Sequence, residues 1–188
     1  DAQQEVTNIA VVGKPNVGKS SLVNALLGEE RTIVSNIAGT TRDAVDTPFT
    51  YQGKDYVLVD TAGIRRKRAI EDESIERYSV IRSLGAIRRA DVVLIVIDAA
   101  EGLSEQDVRI AGYVHEEGKA SVLIINKWDL IEKDTHTMNE FKKKLSADLA
   151  FMDYVPMLFI SAISGQRINK VMEQADFAYA QNCMRIST

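Results

Sequence analysis

The sequence predicts an α/β fold, a mostly parallel sheet with one antiparallel strand and helices on both faces, and three observations carry that prediction. Short apolar runs alternate with segments of helical periodicity along the chain. Three of the runs, 91–99, 120–127 and 155–162, are apolar nearly throughout, as strands covered on both faces must be. Two further strands within 47–61 turn around Gln52-Gly53-Lys54, too tightly for a crossover, so that pair must run antiparallel.

In chain order, TNIAVVG at 7–13 reads as the first buried strand. KSSLVNALLG at 19–28 reads as a helix with Val23, Leu26 and Leu27 inward and Gly28 as its stop. The hairpin at 47–61 follows, then a helix over 73–88 and the strand at 91–99. Ser104, with Glu105 or Gln106, offers a start for a helix at 104–117. The strand at 120–127, a helix over 138–150, the strand at 155–162 and a helix over 168–182 complete the pattern. Phe177 and Tyr179 lie in the last of these and are expected in the core.

With 188 residues, the chain suits one domain with one substantial core. Lys and Arg number 23 against 27 Asp and Glu, and the net charge of -4 gives no overall basic surface for non-specific nucleic-acid binding. Cys183 stands alone, which excludes an internal disulfide and a cysteine-based zinc site and fits a reducing compartment. No apolar run approaches the ~20 residues that span a bilayer, so the expectation is a cytoplasmic chain without membrane contact. There is no initiator Met, and MRIST follows a helical segment without a stop. Residues 1–188 are therefore expected to be a single domain cut from a longer multidomain chain.

The chemistry begins at GKPNVGKSS, 13–21. Gly13, Gly18, Lys19 and Ser20 satisfy G-x-x-x-x-G-K-[ST], a match whose chance occurrence in this length is on the order of one per cent. The motif follows a strand and opens a helix, where free N–H groups and the positive helix end attract phosphate oxygens. Glycine lets the loop, including Val17 and Ser21, wrap the anion; Lys19 brings charge to the β and γ phosphates, and Ser20 offers a hydroxyl to Mg²⁺.

NKWD, 126–129, follows the apolar run SVLII and resembles the guanine-reading N-K-x-D of translation-factor-type GTPases. A carboxylate at Asp129 accepts from both the ring N–H and the exocyclic amine of guanine. Adenine has no matching donor pair and would leave that carboxylate buried and unpaired. Asn126 can tie the loop to the phosphate loop, and the aliphatic stem of Lys127 can cover the base. SAIS, 161–164, resembles the S-A-x loop of the same GTPases, which implies nucleotide contacts at Ser161, Ala162 and Ile163 and a guanine oxygen met by the Ala162 N–H. DTAG, 60–63, matches D-x-x-G, with Asp60 expected to hold Mg²⁺ through water and Gly63 to donate to the γ phosphate. In GTTRD, 39–43, Thr41, with Thr40 second, is expected to reach Mg²⁺ from a loop that orders around that phosphate. Lys19, Thr41 and Gly63 are thus the candidate catalytic groups.

Ile64 follows Gly63, where signalling GTPases carry a water-orienting glutamine, and an alkyl side chain cannot do that. Together with GTTRD and Asn16, this makes the chain similar to the TrmE–Era–EngA group of GTPases. The resemblance implies a K⁺ near the phosphates, held by the side-chain oxygen of Asn16 and by carbonyls of Ser35 and Ile37. TRDAVDTPF, DTAGIRRKR, ESIERYSVIRSLGAI, RADVVLIVIDA, EQDVRIAGY and NKWDL together resemble the second GTPase domain of the Der (EngA) family of tandem-GTPase ribosome-assembly factors. The likeness runs from about Asn8 to Thr188. It implies K⁺-stimulated GTP hydrolysis with GTP or GDP, Mg²⁺ and K⁺ as ligands. It also implies the large ribosomal subunit and its rRNA as partners, and a second GTPase domain and a KH-like domain as neighbours.

Two readings compete with a hydrolysing enzyme: a guanine-nucleotide-dependent binding module of negligible turnover, and an ATPase with an accidental N-K-x-D. The basic run Arg65–Arg68 is a contact to RNA or a neighbouring domain that moves with the γ-phosphate sensor, a solvated face, or the source of a catalytic arginine. His115 and His136 lack clustered partners and are expected at the surface or in helix packing.

Overall fold

A computed structural model of the protein describes residues 6–28, 32–33, 46–61, 64, 82–131, 133–134, 136–152, 154–165 and 167–187. Its strands are β1 (Thr7–Val12), β2 (Thr32–Ile33), β3 (Thr47–Tyr51), β4 (Lys54–Leu58), β5 (Val92–Asp98), β6 (Ala120–Asn126) and β7 (Met157–Phe159). The helices are α1 (Lys19–Leu26), α2 (82–89), α3 (Glu105–Glu116), α4 (Thr137–Asp148) and α5 (Val171–Ser187). All seven strands form one sheet in the order β2-β3-β4-β1-β5-β6-β7. β3 pairs antiparallel with β2 and β4, and every other pairing is parallel. The expected mixed sheet with one antiparallel strand is present.

This order decides where a ligand can sit. β1 lies between β4 and β5, so the chain builds one side of the sheet after β1 and then crosses to the other. The loops at the carboxyl ends of β1 and β5 diverge there and leave a crevice, the usual ligand position in open α/β sheets.

The near-continuous apolar strands fill two cores by alternation. On one face Ile9, Val11, Leu94, Val96, Val122 and Ile124 pack against Leu22 and Leu26 of α1 and Met172 and Ala175 of α5. On the other, Ala10, Val12, Val93, Ile95, Leu123 and Ile125 pack against α2, α3 and α4 through Ile87, Ile110, Val114 and Leu145. At about 25 cal/mol per Å² of apolar area buried, these two layers supply the main stabilisation of the sheet.

Several elements differ from expectation. β2 was not foreseen, since two residues carry no periodicity. Of the helix expected over 73–88, residues 73–81 lie outside the described residues, and 82–89 are helical. α3 starts at Ser104, but its capping partner is Asp107 rather than Glu105 or Gln106. The Ser104 hydroxyl accepts from the Asp107 amide, and the Asp107 carboxylate accepts from the Ser104 amide, because only the third helical residue can reach back. Phe177 is 54% exposed instead of buried: Val171, Met172, Ala175 and Ala178 take the sheet-facing side of α5 and leave it outward, while Tyr179 packs half-buried against the core. His115 is a surface residue bonded to the Tyr154 hydroxyl at 3.2 Å, and His136 is exposed just before α4. No helix among the described residues is long and apolar enough to cross a membrane.

The reciprocal cap makes a simple prediction. Ser104→Ala should lower stability by about 1 kcal/mol, read as a shift of the urea midpoint with an unchanged m-value.

Candidate nucleotide site

The turn between β1 and α1 is shaped by two glycines that admit no side chain. A Cβ on Gly13 would lie 2.6 Å from the Val96 carbonyl oxygen, and one on Gly18 would lie 2.1 Å from Asn126 Nδ2. Gly18 also holds φ 99° and ψ 26°, and as the residue capping α1 it provides no side-chain acceptor. The first N–H groups of α1 therefore face the crevice without a side-chain cap, an arrangement suited to phosphate. Lys19 is buried, 8% exposed, and its Nζ donates to the Gly13 carbonyl at 2.5 Å, so its charge lies across the loop mouth.

A cavity of about 520 Å³ opens in front of this turn. Asn16, Gly18, Lys19, Ser20 and Ser21 line one side, and Asn126, Lys127, Asp129, Ser161 and Ile163 line the other. The sequence-predicted phosphate and base residues thus meet in one place. Val17 gives its side chain wholly to the core, so only its backbone serves the site. Its carbonyl accepts from Asn126 Nδ2 at 2.9 Å, while Asn126 Oδ1 accepts from the Ala162 amide at 3.0 Å. One buried side chain, 2% exposed, joins the loops after β1, β6 and β7.

That second bond engages a group expected to meet another partner. The Ala162 N–H, assigned above to a guanine oxygen, is already donated to Asn126, because the buried amide oxygen needs a donor. Asp129 differs too: it is exposed at the cavity rim, so a base must cover it before desolvation can enforce selectivity. Leu130 and Ile163, 65% and 84% exposed, also line the cavity. They are apolar walls that water solvates poorly and a planar ring would cover. Sequence reasoning missed Leu130, for which the only signal was an apolar residue directly after the NKWD motif.

The groups expected to hold Mg²⁺ are less open. Asp60 lines a separate crevice of about 20 Å³ that shares Lys19 and Ile64 with the main cavity. Its carboxylate accepts from Arg82 Nε at 3.0 and 3.3 Å, and its amide donates to Asp46 Oδ1 at 2.9 Å. The Ser20 hydroxyl donates to the Ile64 carbonyl at 3.2 Å. Arg82 was not anticipated as a partner of Asp60; it lies 22 residues beyond it, within ESIERYSVIRSLGAI, to which no role was given. Thr40, Thr41, Gly63, Ser35, Ile37 and Arg65–Arg68 lie outside the described residues.

A second unanticipated group is Asp98, at the end of β5. Burial raises the pKa of its carboxyl, but the hydrogen bond from Lys127, those from the Ala100 and Glu101 amides and the Lys127 charge outweigh that and hold it below the usual carboxylate range. Asn16, Asp60 and Lys127 all have positive φ, 68°, 57° and 63°. Backbone strain of this kind collects at functional sites.

Comparison with known proteins agrees with the site. A family model described as "50S ribosome-binding GTPase" matches residues 8–127. The chain is 61% identical to GTPase Der of Pelotomaculum thermopropionicum over 184 residues, which cover 98% of this chain and 42% of that protein. It is 59% identical to GTPase Der of Alkaliphilus oremlandii with the same coverage. The chain thus spans less than half the length of the curated relatives it matches. Among solved structures, Era in complex with MgGDPNP and a stretch of 16S ribosomal RNA aligns with a TM-score of 0.68 at 29% identity, covering 90% of this chain and 55% of that one. A variant of Era from Aquifex aeolicus bound to GDP and AlF4- aligns at 0.67 and 30%, with the same coverage.

The close approach at Gly18 can be tested without a ligand. Gly18→Ala should destabilise the fold by at least about 1 kcal/mol and shift the Asn126 side-chain amide resonances, since the added methyl occupies their place.

Proposed function

Because the chain belongs to the 50S ribosome-binding GTPase family, we propose that its cavity binds GTP and hydrolyses it to GDP and phosphate, with K⁺ stimulating turnover. The observation that carries this reading is the Asn126 bridge, which sets a phosphate loop, a carboxylate rim and a third loop around one cavity. Triphosphate oxygens accept from the first amides of α1 and from Lys19, whose Nζ exchanges the Gly13 carbonyl for phosphate. Asp129 accepts from the two guanine donors as the base, packed between Lys127, Leu130 and Ile163, removes it from water.

Ser20, Asp60 and Asn16 present hydroxyl, carboxylate and amide oxygens, hard donors of the kind Mg²⁺ and K⁺ prefer. Among the described residues no cluster of three or more His, Cys, Asp or Glu side chains forms a metal cage. That fits an ion bound through one or two side chains and phosphate oxygens. When bound, these ions would neutralise charge developing on the phosphate oxygens. Ser20 and Asp60 would hold the divalent ion and Asn16 the monovalent one; Thr41, Ser35 and Ile37 are proposed to complete the two sets. Ile64 lines the cavity and cannot orient water with an alkyl side chain, so we assign that task to backbone groups of the loops around Thr41 and Gly63. Catalysis here is positioning and electrostatics. In the longer relatives such a domain would act within a larger chain, and we place its role in assembly of the large ribosomal subunit, with neighbouring GTPase and KH-like domains.

Ile64 also favours a second reading, a guanine-nucleotide-dependent binding module whose own turnover is negligible. Phosphate release from GTP in KCl and in NaCl separates the two. The hydrolase reading expects a clear excess in KCl, and equal background rates in both salts would leave only the binding module. Asp129→Asn should weaken GTP binding and admit xanthosine nucleotides, since the amide donates where xanthine presents a carbonyl. Unchanged nucleotide choice in a competition assay would rule out guanine reading by this residue.

A further inference from the structure

The buried carboxylate of Asp98 is not used by the mechanism above, yet it contacts the machinery directly. Asp98 and Asn126 are register partners on the parallel strands β5 and β6, so the residue after Asn126 emerges beside the Asp98 side chain. Lys127 Nζ donates to Asp98 Oδ2 at 2.8 Å and to the Asn16 carbonyl at 2.8 Å. The other carboxylate oxygen accepts from the Ala100 amide at 2.8 Å and the Glu101 amide at 3.3 Å, which fixes the anchor itself. The Asp98 side chain is 4% exposed and that of Lys127 26%. The same turn reaches the phosphate loop again, where Lys14 Nζ lies 2.9 Å from Glu101 and 3.8 Å from the buried Asp107.

A free lysine side chain samples many rotamers, and holding it in one costs up to about 2 kcal/mol. If that ordering accompanied nucleotide binding, it would be subtracted from affinity. A charge-assisted bond to a fixed carboxylate places it in the apo protein instead. We infer that Asp98 is a positioning residue for nucleotide recognition: through Lys127 it locks the base-reading loop to Asn16 of the phosphate loop, so both halves of the cavity are set before a guanine nucleotide arrives. This rests on the nucleotide reading proposed above. A role confined to the 98–102 turn would need only the oxygen that accepts from the two amides, and Asn supplies that oxygen as well as Asp.

The test uses Asp98→Asn, Lys127→Met and the double variant, with affinity and dissociation rate of a fluorescent GDP derivative as readouts. Asp98→Asn retains the turn acceptor and loses the charged acceptor for Lys127. Affinity should fall roughly tenfold, through faster dissociation, and in GTP turnover KM should change more than kcat. The double variant should bind no worse than Lys127→Met alone, because both substitutions remove one tether. Wild-type affinity in Asp98→Asn, or losses that multiply in the double variant, would overturn the assignment. Independently of any variant, the Lys127 ammonium protons of the nucleotide-free wild type should exchange slowly in ¹⁵N NMR. Fast exchange typical of a solvated lysine would equally defeat it. A wild-type protein that does not bind GDP would instead remove the nucleotide reading, and this inference with it.

Discussion

The site depends on the two hydrogen bonds of the Asn126 side chain. Val17, Asn126 and Ala162 come from three loops at the ends of three strands, and each is buried to within 6% exposure. A carbonyl or N–H left without a partner at such depth costs about 1–3 kcal/mol, so the loops are held at a fixed separation rather than loosely packed. An amide is the side chain that donates to one loop and accepts from another at once; a carboxylate only accepts, and a hydroxyl is too short to span them. The same Nδ2 atom lies where a Cβ of residue 18 would fall, so the bridge and the glycine require one another.

Around this bridge, sheet register distributes the remaining groups. β5 and β6 pair along their full length, Val92 with Ala120 through Asp98 with Asn126. The bridging amide and the buried carboxylate therefore leave the sheet side by side, and Lys127 at φ 63° turns its ammonium back between them and the phosphate loop. Left-handed backbone in a non-glycine residue is unfavourable locally. Here it is over-determined by the two hydrogen bonds of Lys127 and by the Trp128 amide, which donates to the Ile160 carbonyl at 3.1 Å. Trp128 in turn is buried among Phe141 and Phe159, which anchors the base loop in the second core.

Much of this was legible in the sequence because it rests on local rules. Continuous apolar runs forced buried parallel strands, Gln52-Gly53 forced the hairpin, and the glycine spacing of 13–20 forced a strand-to-helix turn with open amides. Motif spacing then fixed which loops share the crevice, since only strand ends meet there. The residues that were not legible act across long sequence separations. Asp98 is 29 residues from Lys127, and Arg82 is 22 from Asp60; no single motif spans either pair, and only the register of adjacent strands and the docking of α2 bring them together. Phe177 was misassigned for a related reason. A 17-residue helix with apolar residues on more than one side does not declare which stripe meets the sheet, and here the small residues Ala175 and Ala178 allow the closer approach.

The two halves of the cavity differ in how much must be undone before a ligand is held. On the proposed base side the tethers run between protein groups: Asn126 joins Val17 to Ala162, and Lys127 joins Asp98 to the Asn16 carbonyl. On the metal side, the groups suited to hold an ion are engaged with the protein itself, Asp60 with Arg82 and Ser20 with the Ile64 carbonyl. On the proposed reading each such contact would be given up or shared when an ion and its phosphates arrive, so part of the binding energy would go into rearrangement there. The base side consequently resembles a fixed template and the metal side a latch. Asp46 extends the latch, because it accepts from the Asp60 amide and also pairs with Arg89, which places two of the three arginines of α2, Arg82 and Arg89, on one acidic network. A change at the Asp60 carboxylate therefore acts on α2 through two charges, and α2 packs through Ala86 and Ile87 on the opposite face of the sheet from α1. That gives the proposed ion-binding side a route to the far face of the domain through charges, where the base loop reaches the same face through the packing of Trp128.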